Sequence, residues 1–139
     1  MDIKDTVSFL IKKYKTSNPF FIARELHIII LFENLGNIMG YHNYDSRFHF
    51  IHINENLLDE ERLFTCAHEL GHVILHTKTN TSFLKRNTFF SVDRIECEAN
   101  TFAVEMLMTD SFIKEYEGYS IHTLARIAGV PAELAWLKK

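Results

Sequence analysis

Near the middle of the chain stands the pentapeptide His68-Glu69-Leu70-Gly71-His72. Around it the apolar residues Leu63, Phe64, Ala67, Leu70, Val73 and Ile74 recur at helical spacing. Residues four apart on a helix share a face, one turn above the other, so His68 and His72 can aim a ring nitrogen at the same ion. Glu69 follows the first of them and sits beside that ion, where a carboxylate can take a proton from bound water. This is the H-E-x-x-H pattern of zinc peptidases. It is incomplete as it stands, because a catalytic zinc takes three protein donors and keeps one position open. Whatever the chain folds into must bring another donor to this helix.

The candidates for that donor are His76, Glu96 and Glu98. His76 lies two turns beyond His68, about 12 Å along the axis, too far for all three histidines to ligate one ion. It is expected to end the helix near the last carbonyls, or to stand behind the ligands. The acidic segment Arg94 to Ala103 is the better source. Glu96 and Asn100 are four apart and share a face with Ala103 and Leu107. A carboxylate on zinc, with an amide one turn later to hold a ligating imidazole, makes a coherent pair. Glu98 points about 200° round the helix from Glu96, so only one of the two can easily face the metal. Glu96 is favoured, with Glu98 as the alternative and the other acid left on the surface. Cys66, two residues before His68, points off its face, and neither Cys66 nor Cys97 is expected to ligate.

The chain has 139 residues, which suits one domain, and its hydrophobic fraction of 47% can fill a modest core. A net charge of −3 gives no general attraction to nucleic acid or membrane. The charged opening Met1-Asp2-Ile3-Lys4-Asp5 lacks the apolar stretch of a signal peptide, and Ile28 to Phe32 is too short to span a bilayer. Two cysteines do not make a disulfide framework, so a cytoplasmic protein with reduced thiols is expected.

Helical spacing marks Asp5 to Tyr14, and Ser17-Asn18-Pro19 reads as a cap and first-turn proline opening a second helix. Three short strands follow, at Ile28 to Phe32, Tyr41 to Tyr44 and Arg47 to Asn54. The last alternates, with Phe48, Phe50 and His52 on one side and His49, Ile51 and Ile53 on the other. A small, mostly antiparallel sheet is expected. The motif helix should run from Leu58 to about His76, followed by a polar connector over Thr77 to Asn87 and a helix from about Val92 to Met108. The stretch from Tyr119 to Lys139 reads as two short helices around Gly129-Val130-Pro131 that pack on the rest. The second of these carries only terminal lysines, too little charge for a DNA reader.

Taken together, His68 to His76, Glu96-x-Glu98-Ala99-Asn100-x-Phe102-Ala103 and Leu107-Met108 resemble the ImmA/IrrE family of zinc metallopeptidases. Asn18 to Ala23 and Phe50 to Asn54 are similar to members from phages and integrative elements of Gram-positive bacteria. The resemblance covers about residues 18 to 110. It implies a zincin-like α+β fold, with a sheet of about three strands on a helical core that holds the motif helix and a second, glutamate-bearing helix. The family is similar to thermolysin-type enzymes in taking two histidines and a glutamate from a later helix, with Asn100 where those enzymes have Asp. A proline that often follows the Leu-Met segment is replaced by Thr109.

On this reading Zn²⁺ is held by His68, His72 and Glu96, and Glu69 is the general base that later returns its proton to the leaving amine. Tyr41, Tyr44, His49 and His52 are candidates for stabilising the oxyanion. In zincins a strand beside the motif helix pairs with extended substrate, and Arg47 to Asn54 is the expected edge. The resemblance further implies a protein substrate: a helix-turn-helix repressor whose cleavage releases a mobile element's genes. The alternative is a non-catalytic zinc module that binds a transcriptional regulator, as an antitoxin-like protein would.

Overall fold

The computed structural model describes residues 2–77, 84–86, 89, 91 and 93–139. Among them are six α-helices, a 3-10 helix and a three-stranded sheet, an α+β arrangement. The connector expected over Thr77 to Asn87 falls largely outside the described residues, as does Val92.

Helix α1 (Ile3–Tyr14) is capped by Asp2, whose side chain accepts from the Asp5 N–H, and it buries Val7 and Leu10. Helix α2 (Pro19–Glu25) starts as the Asn18-Pro19 pair dictates, with the Asn18 side chain accepting from the Phe20 N–H. The strands are β1 (Ile29–Glu33), β2 (Gly40–Asp45) and β3 (Phe48–Asn54). Ser46 and Arg47 both have positive φ, as a tight two-residue hairpin needs, and join β2 to β3.

The sheet is mixed rather than mostly antiparallel. Its order is β1-β3-β2, with β1 parallel and β2 antiparallel to β3. Alternation along a strand reveals its faces but not its neighbours' direction. Direction is decided here by the segment after β1, which crosses under the end of β3 instead of turning back as a hairpin. Asn54 holds it there: its N–H donates to Met39 O and its side-chain amide to the Gly36 and Ile38 carbonyls. The strand expected to be an edge, β3, is therefore central.

Helix α3 (Asp59–Leu75) opens with three acids, and Glu61 accepts from the Leu58 N–H. Every residue from Phe64 to Val73 is buried. A helix buried on all sides must have neighbours on all sides. The sheet covers one, with Ile51 and Ile53 fully enclosed, and α4 (Arg94–Leu107) covers another. Helix α4 is capped by Asp93, whose carboxylate accepts from the Ile95 and Glu96 N–H groups. Gly71 lets α3 and α4 approach closely, because a Cβ on it would lie 2.9 Å from Phe102 Cβ.

After α4, Thr109 caps α5 (Asp110–Glu115) by accepting from the Phe112 N–H. Helix α6 (Ile121–Ala128) and the 3-10 helix Ala132–Leu137 form the expected C-terminal pair. They bury Leu124, Ala125, Val130, Leu134 and Ala135. Among the described residues no helix is long and apolar enough to cross a membrane.

Candidate metal centre

Helices α3 and α4 run antiparallel, since His68 meets Asn100 while His72 meets Glu96. Between them, one nitrogen each from His68 and His72 and a carboxylate oxygen of Glu96 lie within 4.8 Å of one another, all on buried residues. Glu96 uses both oxygens: Oε2 is 3.1 Å from His68 Nε2, and Oε1 is 3.1 Å from His72 Nε2. The two Nε2 atoms are 3.2 Å apart. The structure thus brings together His68, His72 and Glu96. It turns Glu98 elsewhere, toward His76 Nε2 at 2.8 Å and Arg94 Nε at 3.4 Å. Glu98 is not the bare surface acid that the sequence suggested for whichever glutamate missed the cluster.

The groups behind the donors are equally placed. His68 Nδ1 is 2.8 Å from Asn100 Oδ1, as the Glu96-Asn100 spacing predicts. His72 Nδ1 is 3.2 Å from His76 Nδ1. His76 is the C-cap of α3, and its N–H donates to the His72 carbonyl. Cys66 is fully enclosed in the core, and burial pushes its thiol pKa far up.

Charge follows the packing. Burial by itself would raise the Glu96 pKa, but hydrogen bonds from His68 and His72 outweigh it and hold the carboxyl well below the usual range. Burial lowers the His72 pKa, and Glu96 only partly offsets it. Burial also opposes charge on His68, yet its bond to Glu96 and the nearby charge of Glu69 tip the balance upward. Glu96 is thus an anion clasped by two imidazoles.

Glu69 is fully buried beside this cluster. Its Oε1 is 3.0 Å from Nδ1 of His42, itself buried on β2. Its Oε2 is buried with no hydrogen-bond partner among the described residues. An unsatisfied buried carboxylate oxygen is rare in a folded protein. His42 is the residue that sequence reasoning missed. The signal was strand parity: His42 shares a face with Gly40 and Tyr44, and it pairs with Ile51, whose side faces the core.

The same parity sorts the four oxyanion candidates. Tyr41 and His52 pair across β2 and β3 on the opposite face of the sheet from His42, their rings stacked 4.2 Å apart. There His52 bonds Glu33 and Asn43. Tyr44 and His49 share the face of His42, with rings 4.7 Å apart, and His49 Nδ1 is buried without a partner among the described residues. Burial lowers the His49 pKa, aided by His42.

A model of peptidase family M78, described as the IrrE N-terminal-like domain, matches residues 23–137. The chain belongs to this family. It is 50% identical over 139 residues to a Bacillus phage phi105 protein named "Uncharacterized immunity region protein 2", covering 98% of this chain and 88% of that one. It is 35% identical over 136 residues to "Metallopeptidase ImmA" of Bacillus subtilis (strain 168), covering 94% of this chain and 79% of that one. The ImmA/IrrE membership expected from the two motifs is thereby established, and with it a metallopeptidase of the ImmA type. A metal ion belongs to that class, and the donor set fits one: three buried donors converge, and the second nitrogen of each histidine faces a further group.

Proposed function

We propose that this chain is a zinc-dependent endopeptidase of the ImmA/IrrE type. It is zincin-like, with one catalytic domain over residues 1–139. It works in the cytoplasm on a helix-turn-helix repressor of a phage or integrative element, derepressing that element's genes. The observation that carries the reading is the buried His68–His72–Glu96 cluster with the unpartnered Oε2 of Glu69 beside it. Zinc is the natural occupant of a two-imidazole, one-carboxylate set, and among the described residues three donors converge rather than four, which favours a catalytic centre over a closed structural one.

A zinc ion held there would acidify a bound water and polarise a peptide carbonyl. Glu69 then acts through Oε2, accepting a proton at the start of hydrolysis and passing it to the departing amine nitrogen. His42 occupies Oε1 and keeps the other oxygen turned to the reaction. Extended substrate pairs with β2, the outer strand that carries His42, because β3 is already paired on both sides. On that face Tyr44 and His49 are the remaining candidates for stabilising the developing oxyanion. The name of the phage relative supports an immunity repressor as the substrate class.

The test is incubation of the purified protein and Zn²⁺ with the repressor encoded beside its own gene. Wild type is expected to cut it, whereas Glu69→Gln binds zinc equally but loses at least ~100-fold in rate. Cleavage by Glu69→Gln at the wild-type rate refutes the role of Glu69. A zinc-loaded wild type that binds the repressor and leaves it whole favours the non-catalytic interaction module instead.

A further inference from the structure

His76 is the motif's unassigned histidine. Its position requires explanation, because it lies beyond ligating reach yet faces the cluster. The nitrogen of His72 that faces Glu96 and His68 is Nε2, so the ligating atom is Nε2 and the atom left over is Nδ1. That Nδ1 is 3.2 Å from Nδ1 of His76. A bond between two imidazole nitrogens needs one N–H and one lone pair. If His72 gives its Nε2 lone pair to a metal, its proton sits on Nδ1, and His76 must accept there. His76 then carries its own proton on Nε2, which is 2.8 Å from Glu98 Oε1. Glu98 is in turn held by Arg94. Each link allows only one direction for the next.

We infer that His76, braced by Glu98, is a positioning residue that fixes the tautomer and ring orientation of His72 and thereby sets the affinity of the metal centre. The inference rests on His68, His72 and Glu96 being the metal donors. It makes the site asymmetric. His68 takes its acceptor directly from α4, through Asn100. His72 takes its acceptor from the end of its own helix, because His76 leaves helical geometry (φ −132°, ψ 52°) as the C-cap of α3. Helix α4 therefore supplies three consecutive roles on alternate residues: Glu96 as a donor, Glu98 behind His76, and Asn100 behind His68.

The experiment is competition of the metal-free protein against a chelator of known zinc affinity at fixed pH, with folding checked by circular dichroism. His76→Leu keeps bulk but offers no acceptor, and zinc affinity is expected to fall on the order of 10- to 100-fold. His76→Asn places a carbonyl oxygen near the Nδ1 position but cannot reach Glu98. It should match Glu98→Ala, each weakened several-fold and clearly less than His76→Leu. Nitrogen-15 shifts of the zinc-loaded wild type should show Nδ1–H on His72 and Nε2–H on His76. Affinity of His76→Leu within about twofold of wild type, equal losses for the Leu and Asn variants, or His76 protonated at Nδ1 would each overturn the inference. If His76→Leu does not fold, Glu98→Ala and the nitrogen shifts still decide it. Wild type that binds no zinc would overturn the underlying donor assignment instead, a result separate from the variant comparison.

Discussion

Gly71 offers the sharpest test of the site, because the metal donors are split between two helices that it holds close. In Gly71→Ala the new Cβ would lie 2.9 Å from Phe102 Cβ and 3.0 Å from ring carbons Cγ and Cδ1. Ordinary contact begins near 3.4 Å, so at least 0.5 Å must be found there. Phe102 Cβ is fixed by its backbone, and Phe102 is fully enclosed, so the helices themselves must part. Alanine favours the helix by about 1 kcal/mol over glycine, while overpacking costs about 1–3 kcal/mol. The net is a loss of roughly 1 kcal/mol, a melting point lower by roughly 3–5 °C. Metal affinity should suffer more, since donor distances tolerate only about ±0.2 Å. Parting α3 from α4 draws Glu96 away from His68 and His72, and zinc affinity is expected to drop by roughly 10-fold or more. The assays are thermal unfolding without metal and chelator competition with it. A Gly71→Ala protein as stable as wild type, with unchanged zinc affinity, would refute the close packing and its link to the site.

Other outcomes follow from the same geometry. His42→Ala should leave zinc content unchanged and lower repressor cleavage by roughly 10-fold or more, because Glu69 loses its anchor; equal turnover would show that His42 does not orient the base. In native protein only Cys97 should react with a thiol reagent within minutes. Cys66 is fully enclosed with a strongly raised pKa and should become reactive only on denaturation. Glu96 has a depressed folded pKa, so its contribution is present above the ordinary value of about 4.3 and is lost as pH falls toward the folded value. Metal-free protein should therefore melt progressively earlier below about pH 4.3, and Glu96→Gln should flatten that limb; an identical acid slope in the variant would refute the assignment.

Much of this protein was legible in its residues because the relevant signals are local. The spacing of His68 and His72, the apolar rhythm around them and the Asn18-Pro19 cap all act within a few residues, where helix geometry leaves little choice. The Glu96-Asn100 spacing likewise places a donor and an acceptor on one face wherever that helix is put. Strand parity separated Ile51 and Ile53 from Phe50 and His52. What parity cannot supply is a partner. The direction of β1, the central place of β3, the reach of His42 to Glu69 and the His72–His76–Glu98 chain depend on groups brought from far along the chain. His42 and Glu69 are 27 residues apart, His76 and Glu98 are 22 apart, and His68 and Asn100 are 32 apart. Such meetings are decided by how Asn54 ties down the crossing segment and how closely Gly71 lets two helices approach, which are properties of packed surfaces rather than of any short stretch of sequence.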